Sequence, residues 1–358
     1  MKLRLPGFDF SLDGLSAPSD DALLSRRYSE WHHFTFSDDA ASLGGIVNLA
    51  LSDDVRDIER GRCGVSLVTH ESGFGWRGTM NLFGPEEADF SPGEIALRIG
   101  SNAVVFRDGR YHVNAALRGR AVHIDAVWTP RTEPVVIDSI GGFINTLIVP
   151  RLDVDGEITI EGRRYELKQA LGYHDHNWGA WDWSRDLGWS WGYVNESCHG
   201  ELRREVGMVF GQVTDATRST ALTDLVLIVW QGKRVTHVFL DDAVTLEAYG
   251  RYSGDVPRVP GVVALLNPGR AASVPSRLAL DAVDGEDRLH IDSQIRDAIQ
   301  FLIPHPRGSS HIAVSELVAA YSVTGHIDGR ELMFTHSAFA ELAGAALTNK
   351  LPVLKLGV

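Results

Sequence analysis

The chain has 358 residues, 44% of them hydrophobic and 23% charged; this is a globular composition that excludes wholesale disorder, and the length predicts two domains. Lys and Arg number 34 against 47 Asp and Glu, a net charge of −13, so no nucleic-acid partner and no anionic membrane surface is expected. No apolar run reaches the roughly 18 residues of a membrane span, so no integral membrane segment is expected.

The opening segment, MKLRLPGFDF, meets Pro6, Gly7 and Asp9 before a signal-peptide core can build. The only cysteines, Cys63 and Cys198, make no disulfide framework and have no metal-ligand spacing. Together these predict a reduced, cytoplasmic protein. A helix is predicted near 20–28. WHHFTF at 31–36 reads as a strand; His33 shares a face with Trp31, and if the strand is half buried at least one of His32 and His33 faces out. Asp53-Asp54 and Asp241-Asp242 read as solvated turns.

Helical periodicity is scarce thereafter. Asp-Gly recurs at Asp13, Asp108, Asp155, Asp284 and Asp328, and several of these pairs sit between β-branched or alternating runs, a strong hairpin signal. The clearest hairpin is 102–117, with Asp108-Gly109 at its turn, and a second series occupies 152–167. Further strands are predicted at 204–213, 222–230, 234–240, 277–283, 289–295, 318–326 and 331–335. A Pro/Gly-rich loop falls at 253–270 and a helix at 337–347. Many short strands at this spacing predict an all-β chain of antiparallel barrel or sandwich domains with few short helices. The predicted domains are 1–185 and 186–358.

The informative stretch is GYHDHNWGAWDWSRDLGWSWGY, 172–193, which holds Trp178, Trp181, Trp183, Trp189 and Trp191 among the nine tryptophans of the chain. As a strand, Tyr173–Trp178 places His174, His176 and Trp178 on one face and Tyr173, Asp175 and Asn177 on the other. Buried acids and imidazoles are costly unless paired, so such a cluster usually serves a site. Three readings stand. His174 and His176 could share a metal, although no third ligand lies at a fixed spacing. The polar groups could tie a domain junction by hydrogen bonds. Or they could carry acid–base chemistry in an aromatic-lined pocket. The neighbouring thiol–imidazole pair Cys198-His199 points to opposite faces of any strand, so no dyad is expected there. Glu196 and Glu201 read as a polar connection, Glu196 also as a backup to the acid. No Gly-rich phosphate loop is present; the Gly141-Gly142 pair lacks the spacing.

YHDHNWG, Tyr173 to Gly179, resembles the signature of the carotenoid 1,2-hydratase (hydroxyneurosporene synthase) and AttH-like superfamily, whose fungal relatives include lipocalin-like Diels–Alderases. WHHFTF resembles that family's aromatic opening strand, and YSVTGHIDGRELMFTHSAFAEL, 321–342, its closing strands. The resemblance implies two lipocalin-like domains, a hydrophobic small-molecule substrate and no cofactor. It also implies a role for His176 and Trp178 in the site. Tyr193-Val194-Asn195 stands where the family has Tyr-x-Asp, with a carboxamide in place of the acid.

The expected activity is cofactor-independent hydration or cyclisation of an isoprenoid or polyene. Pericyclic closure is the alternative, and a non-catalytic carrier of a hydrophobic molecule is the rival class. The expected catalytic residues are Asp175, His176, His174 and Tyr173, with Asp175 as the acid. The expected substrate contacts are Trp178, Trp181, Trp191, Tyr193, Asn177, Trp31 and His33, where indole faces would stabilise a carbocation. No metal is expected.

Overall fold

The computed structural model describes residues 2–16, 28–53, 59, 61–117, 121–140, 142, 144–181, 187–196, 206–266, 271–304 and 311–345. The chain divides into two compact units, Met1–Trp181 and Asp182–Val358.

The strands of the first unit are β1 (Lys2–Arg4), β2 (Tyr28–Asp38), β3 (Leu43–Ser52), β4 (Arg62–Glu71), β5 (Gly75–Phe83), β6 (Ala88–Phe90), β7 (Ala96–Ile99), β8 (Asn102–Arg107), β9 (Arg110–Ala116), β10 (Val122–Pro130), β11 (Val135–Ile140), β12 (Ile144–Ile160) and β13 (Arg163–Ala180). They form one antiparallel sheet in the order β5-β4-β3-β2-β13-β12-β10-β9-β8-β7-β6, with β1 and β11 attached beside β12. The second unit holds β14 (Gly188–Asn195), β15 (Val206–Thr214), β16 (Val226–Gln231), β17 (Arg234–Leu240), β18 (Val244–Tyr249), β19 (Arg258–Val259), β20 (Arg277–Asp284), β21 (Asp287–Pro304), β22 (His311–Ile327) and β23 (Arg330–Ala345). Its main path runs β17-β16-β15-β14-β23-β22-β21-β20-β18, and the two-residue β19 adds parallel to β21. The first sheet curls nearly into a barrel and the second into a half-barrel, a lipocalin-like all-β fold as the sequence predicts.

Alternation builds these strands. In β9 the buried Tyr111, Val113 and Ala115 alternate with more exposed neighbours, the pattern of a strand with one face on a core. Asp108 and Gly109, at φ 52° and 74°, make the tight turn predicted for that hairpin. The core of the first unit gathers Phe34, Phe36, Leu49, Leu67, Tyr111, Trp128 and Leu147. Trp128, completely buried, donates its Nε1–H to the carbonyl of Thr35 at 2.9 Å, which satisfies the one polar atom of a large apolar side chain.

Four expectations change. Asp155-Gly156 is not a turn. β12 runs straight through it, and the hairpin closes at Glu161-Gly162. Gly156 has φ 151° at a register shift against β13, and Asp155 Oδ1 accepts the backbone N–H of Gln169 at 3.0 Å; the pair shapes a bulge, the other common use of glycine in a strand. The segment 337–345, expected as helix, completes β23, hydrogen-bonded to β22 on one side and β14 on the other. Pairing on both edges overrides its Ala- and Leu-rich propensity. Residues 20–27 of the other expected helix lie outside the described residues, and Tyr28 already belongs to β2. Within the expected loop 253–270 lie β19 and a short helix, α1 (Gly261–Leu266). Finally, His32 and His33 are both buried, at 0% and 3% exposure, because β2 is covered on both faces. Trp183, Cys198, His199 and Glu201 also lie outside the described residues.

Candidate functional site

β2 and β13 are neighbours, and their register sets His176 opposite His32, His174 opposite Phe34 and Asp175 opposite His33. Side chains alternate along both strands. Two polar arrays therefore stand back to back. The four residues expected to be catalytic are divided between them, His174 and His176 on the inner face, Tyr173 and Asp175 on the outer.

The inner array enters the core of the first unit and is organised by Asp13. This residue was expected at an Asp-Gly turn. It instead ends a short 3-10 turn, Ser11–Asp13, and is completely buried. Tyr111 donates its hydroxyl to Asp13 Oδ2 at 2.6 Å, and His174 Nε2 reaches the same oxygen at 3.0 Å. His174 Nδ1 lies 2.9 Å from the carbonyl of His33. Both nitrogens of His174 thus face acceptors. His176 Nε2 lies 2.8 Å from Glu30 Oε1, and its Nδ1 3.1 Å from Asp13 Oδ1. Glu30 also accepts from Tyr28 Oη at 2.9 Å and from the backbone N–H of Ser16 at 2.6 Å. The ring of Phe34 stacks on His174 at 4.1 Å, and Trp178 tilts against His176 at 4.7 Å.

The charges follow from this packing. Burial alone would raise the Asp13 carboxyl, but His174 and His176 hold it far below the usual carboxylate range. Burial alone would depress His176, yet the Asp13 and Glu30 carboxylates outweigh it and hold the imidazole at about 9. Burial, then the neighbouring His176, keeps His32 well below its ordinary value. Burial and the Asp13 charge push the Tyr111 phenol up.

The outer array is simpler. Tyr173 donates its hydroxyl to Asp175 Oδ2 at 2.8 Å, and Asn177 donates its amide N–H to Asp175 Oδ1. His33 meets the edge of Tyr173, with ring centroids 6.5 Å apart; burial, then His174, lowers its imidazole to about 3. Trp31 and Trp181 pack edge to face at 5.6 Å. Asp175 retains 7% exposure, whereas Asp13, His174 and His176 have none; Asn177 and Trp31 are half-buried. The Asp175 carboxyl is thus slightly less deeply buried than that of Asp13.

Trp191 and Tyr193 lie on β14 of the second unit, with ring centroids 5.6 Å apart. That unit also carries a carboxyl pair that sequence reading missed. Glu316 on β22 stands directly opposite Glu341 on β23, and Trp189 donates its Nε1–H to Glu341 Oε1. Burial pushes the Glu341 carboxyl above its ordinary value. In the first unit, an apolar cleft of about 730 Å³ opens between Phe8, Phe10, Ile95, Phe106 and Pro130, with Glu94 on its rim. The rings of Phe10 and Phe106 pack on Tyr111 at 6.3 and 4.6 Å, so the cleft ends one ring away from Asp13. Asp13, Glu30, His32 and Tyr111 were not expected at a site. Of these, His32 sits in a motif already compared with a known family, WHHFTF, whereas Asp13 and Tyr111 carry only turn and hairpin signals.

No family model matches the chain, and no curated protein matches it. Solved structures do. A candidate AttH from Nitrosomonas europaea superposes with a TM-score of 0.59 at 14% identity, over 92% of this chain and 97% of that one. Kievitone hydratase from Nectria haematococca superposes at 0.53 and 12% identity, over 88% of each chain. CghA superposes at 0.51 and 10% identity, over 98% of this chain and 99% of its own. At these identities the likeness is one of fold: the chain shares the β architecture of these three proteins.

Proposed function

We propose that the protein is an enzyme that adds a proton to an apolar, unsaturated small molecule, an isoprenoid or polyene, and completes a hydration or a cyclisation. The observation that carries this reading is the row Tyr173–Asp175–Asn177, a carboxyl with a donor on each oxygen, on the sheet face that also bears Trp31, against which Trp181 packs. That a hydratase is among the proteins sharing the fold supports it.

In its protonated form Asp175 gives its proton to the alkene carbon. A C–H bond forms, the π bond is consumed and a tertiary carbocation is left. The hydroxyl of Tyr173 and the amide of Asn177 stabilise the carboxylate as it develops, so they act more strongly in the transition state than before it. Indole faces attract the cation by roughly 0.5–2 kcal/mol each. Water then adds to the cation and its surplus proton returns to Asp175, or a second double bond of the same molecule closes a ring and the resulting cation loses a proton to the Asp175 carboxylate. His174 and His176, sealed on the inner face, hold β13 in place in this scheme and do not touch substrate.

The test is incubation of the purified protein with a panel of linear terpenoids, carotenoid precursors and polyene polyketides, read by mass. A product heavier by one water identifies a hydratase, and oxygen-labelled water must then appear in it. A new species at unchanged mass identifies a cyclase or pericyclase. Tight binding of a panel member with no product from any of them would replace the enzyme with a carrier.

A further inference from the structure

The inner array contains groups that its hydrogen bonds do not explain. His32 is completely buried, and neither ring nitrogen has a hydrogen-bond partner. Buried polar atoms in this state are uncommon in folded proteins and call for a partner. Two further atoms share the condition: Asp13 Oδ1 and His176 Nδ1 lie 3.1 Å apart yet make no hydrogen bond. One ligand atom from each of Asp13, His32 and His176 falls within 4.8 Å of the others.

We propose that Asp13, His32 and His176 form a binding site for one divalent first-row transition ion of the zinc type. Two imidazole nitrogens and one carboxylate oxygen are a common donor set for such ions. Two ligands of a tetrahedral ion at about 2.1 Å lie roughly 3.4 Å apart, near the observed 3.1 Å between Asp13 and His176. The supporting contacts are those a metal site needs. His176 is tethered through Nε2 to Glu30, which leaves Nδ1 aimed at the centre. Tyr111 and His174 occupy Asp13 Oδ2 and leave Oδ1 for the ion. Carboxylates placed behind ligating imidazoles in this way fix ring orientation and strengthen the ligand. The His32 ring, stacked against Phe34, His174 and His176, keeps one ligand atom within 4.8 Å of those of Asp13 and His176.

A proton on His176 is the competing occupant. It would bridge the Asp13 and Glu30 carboxylates but would leave both nitrogens of His32 without a partner. An ion satisfies all three residues and offsets the cost of burying Asp13 and Glu30, at 0% and 1% exposure. The cleft lined by Phe10 and Phe106 comes within one ring, that of Tyr111, of Asp13.

The proposal is independent of Asp175 and of turnover, so its test uses neither. The full chain, stripped with EDTA, is titrated with zinc by calorimetry and with cobalt by visible absorption. One ion per chain is expected, with the cobalt bands of tetrahedral nitrogen and oxygen ligation. His32→Phe is expected to weaken binding at least 100-fold while the metal-free protein keeps its melting temperature or gains, because the lost nitrogens had no partners. Glu30→Gln is expected to weaken binding 10- to 100-fold. Asp175→Asn, on the opposite face, is expected to bind as the wild type does. Failure of both zinc and cobalt to bind the folded chain, or equal binding by His32→Phe, would overturn the site.

Discussion

The imidazole of His32 lies flat on that of His176, ring centroids 4.2 Å apart and planes within 19°, directly across the β2–β13 ladder. This contact joins the two distinctive sequence segments, WHHFTF and YHDHNWG, inside one core. It also orders everything behind it. The inner face of β13 is committed to a buried network, and Asp175 stands on the outer face.

The network predicts a specific cost. Tyr111→Phe removes the hydroxyl that donates to Asp13 at 2.6 Å and leaves a buried carboxylate oxygen short of a donor. A loss of about 1–3 kcal/mol is expected, measured by urea unfolding. An unchanged midpoint would mean that Asp13 does not depend on that bond.

The bulge at Gly156 is a second point of dependence. A Cβ there would lie 2.4 Å from the carbonyl oxygen of Asp125, at a φ that side chains rarely adopt. Gly156→Ala is expected to cost about 2–4 kcal/mol. The matched control is Gly162→Ala in the neighbouring turn, where nothing lies within 4 Å of the added carbon and only the strain of its positive φ remains. A control that destabilises more than Gly156→Ala would contradict the bulge.

The second unit carries its own pH dependence. Burial raises Glu341 above its ordinary value, so the folded state holds this proton more tightly than the unfolded chain does. Its contribution is complete below the unfolded value, near 4.5, and is lost as pH rises through the folded value. Glu341→Gln, which cannot lose a proton, should therefore gain stability relative to wild type as pH rises from 4.5 to 8. Urea midpoints of the two proteins across that range make the comparison, and a constant difference would contradict it.

The fold was largely readable from local signals. Alternation and the Asp-Gly turns at Asp108 and Asp328 identify antiparallel strands because period 2 and left-handed turn residues are local properties. Asp155-Gly156 misled for the same reason: a glycine that a bulge requires looks like one that a turn requires. The segment 337–345 misled because strand pairing on both its edges is not written in its own residues. Within the site, the division of His174 and His176 from Tyr173 and Asp175 follows from alternation alone. Asp13 was illegible. It lies 161 residues before His174, and only the closing of the sheet brings the two together. The residues proposed to join His176 at a cation were equally hidden: His32 stands across the ladder, and Asp13 precedes it by 19 positions.

The most direct measurement compares Asp175→Asn with wild type on whichever panel substrate is turned over, following both product formation and quenching of tryptophan fluorescence by the bound substrate. The account predicts a rate lower by 10²–10⁴-fold, the range for loss of a positioned acid, with binding within about twofold of wild type, as expected when an interaction made only in the transition state is removed. Full turnover by Asp175→Asn would contradict the assignment of the acid and, with it, the mechanism.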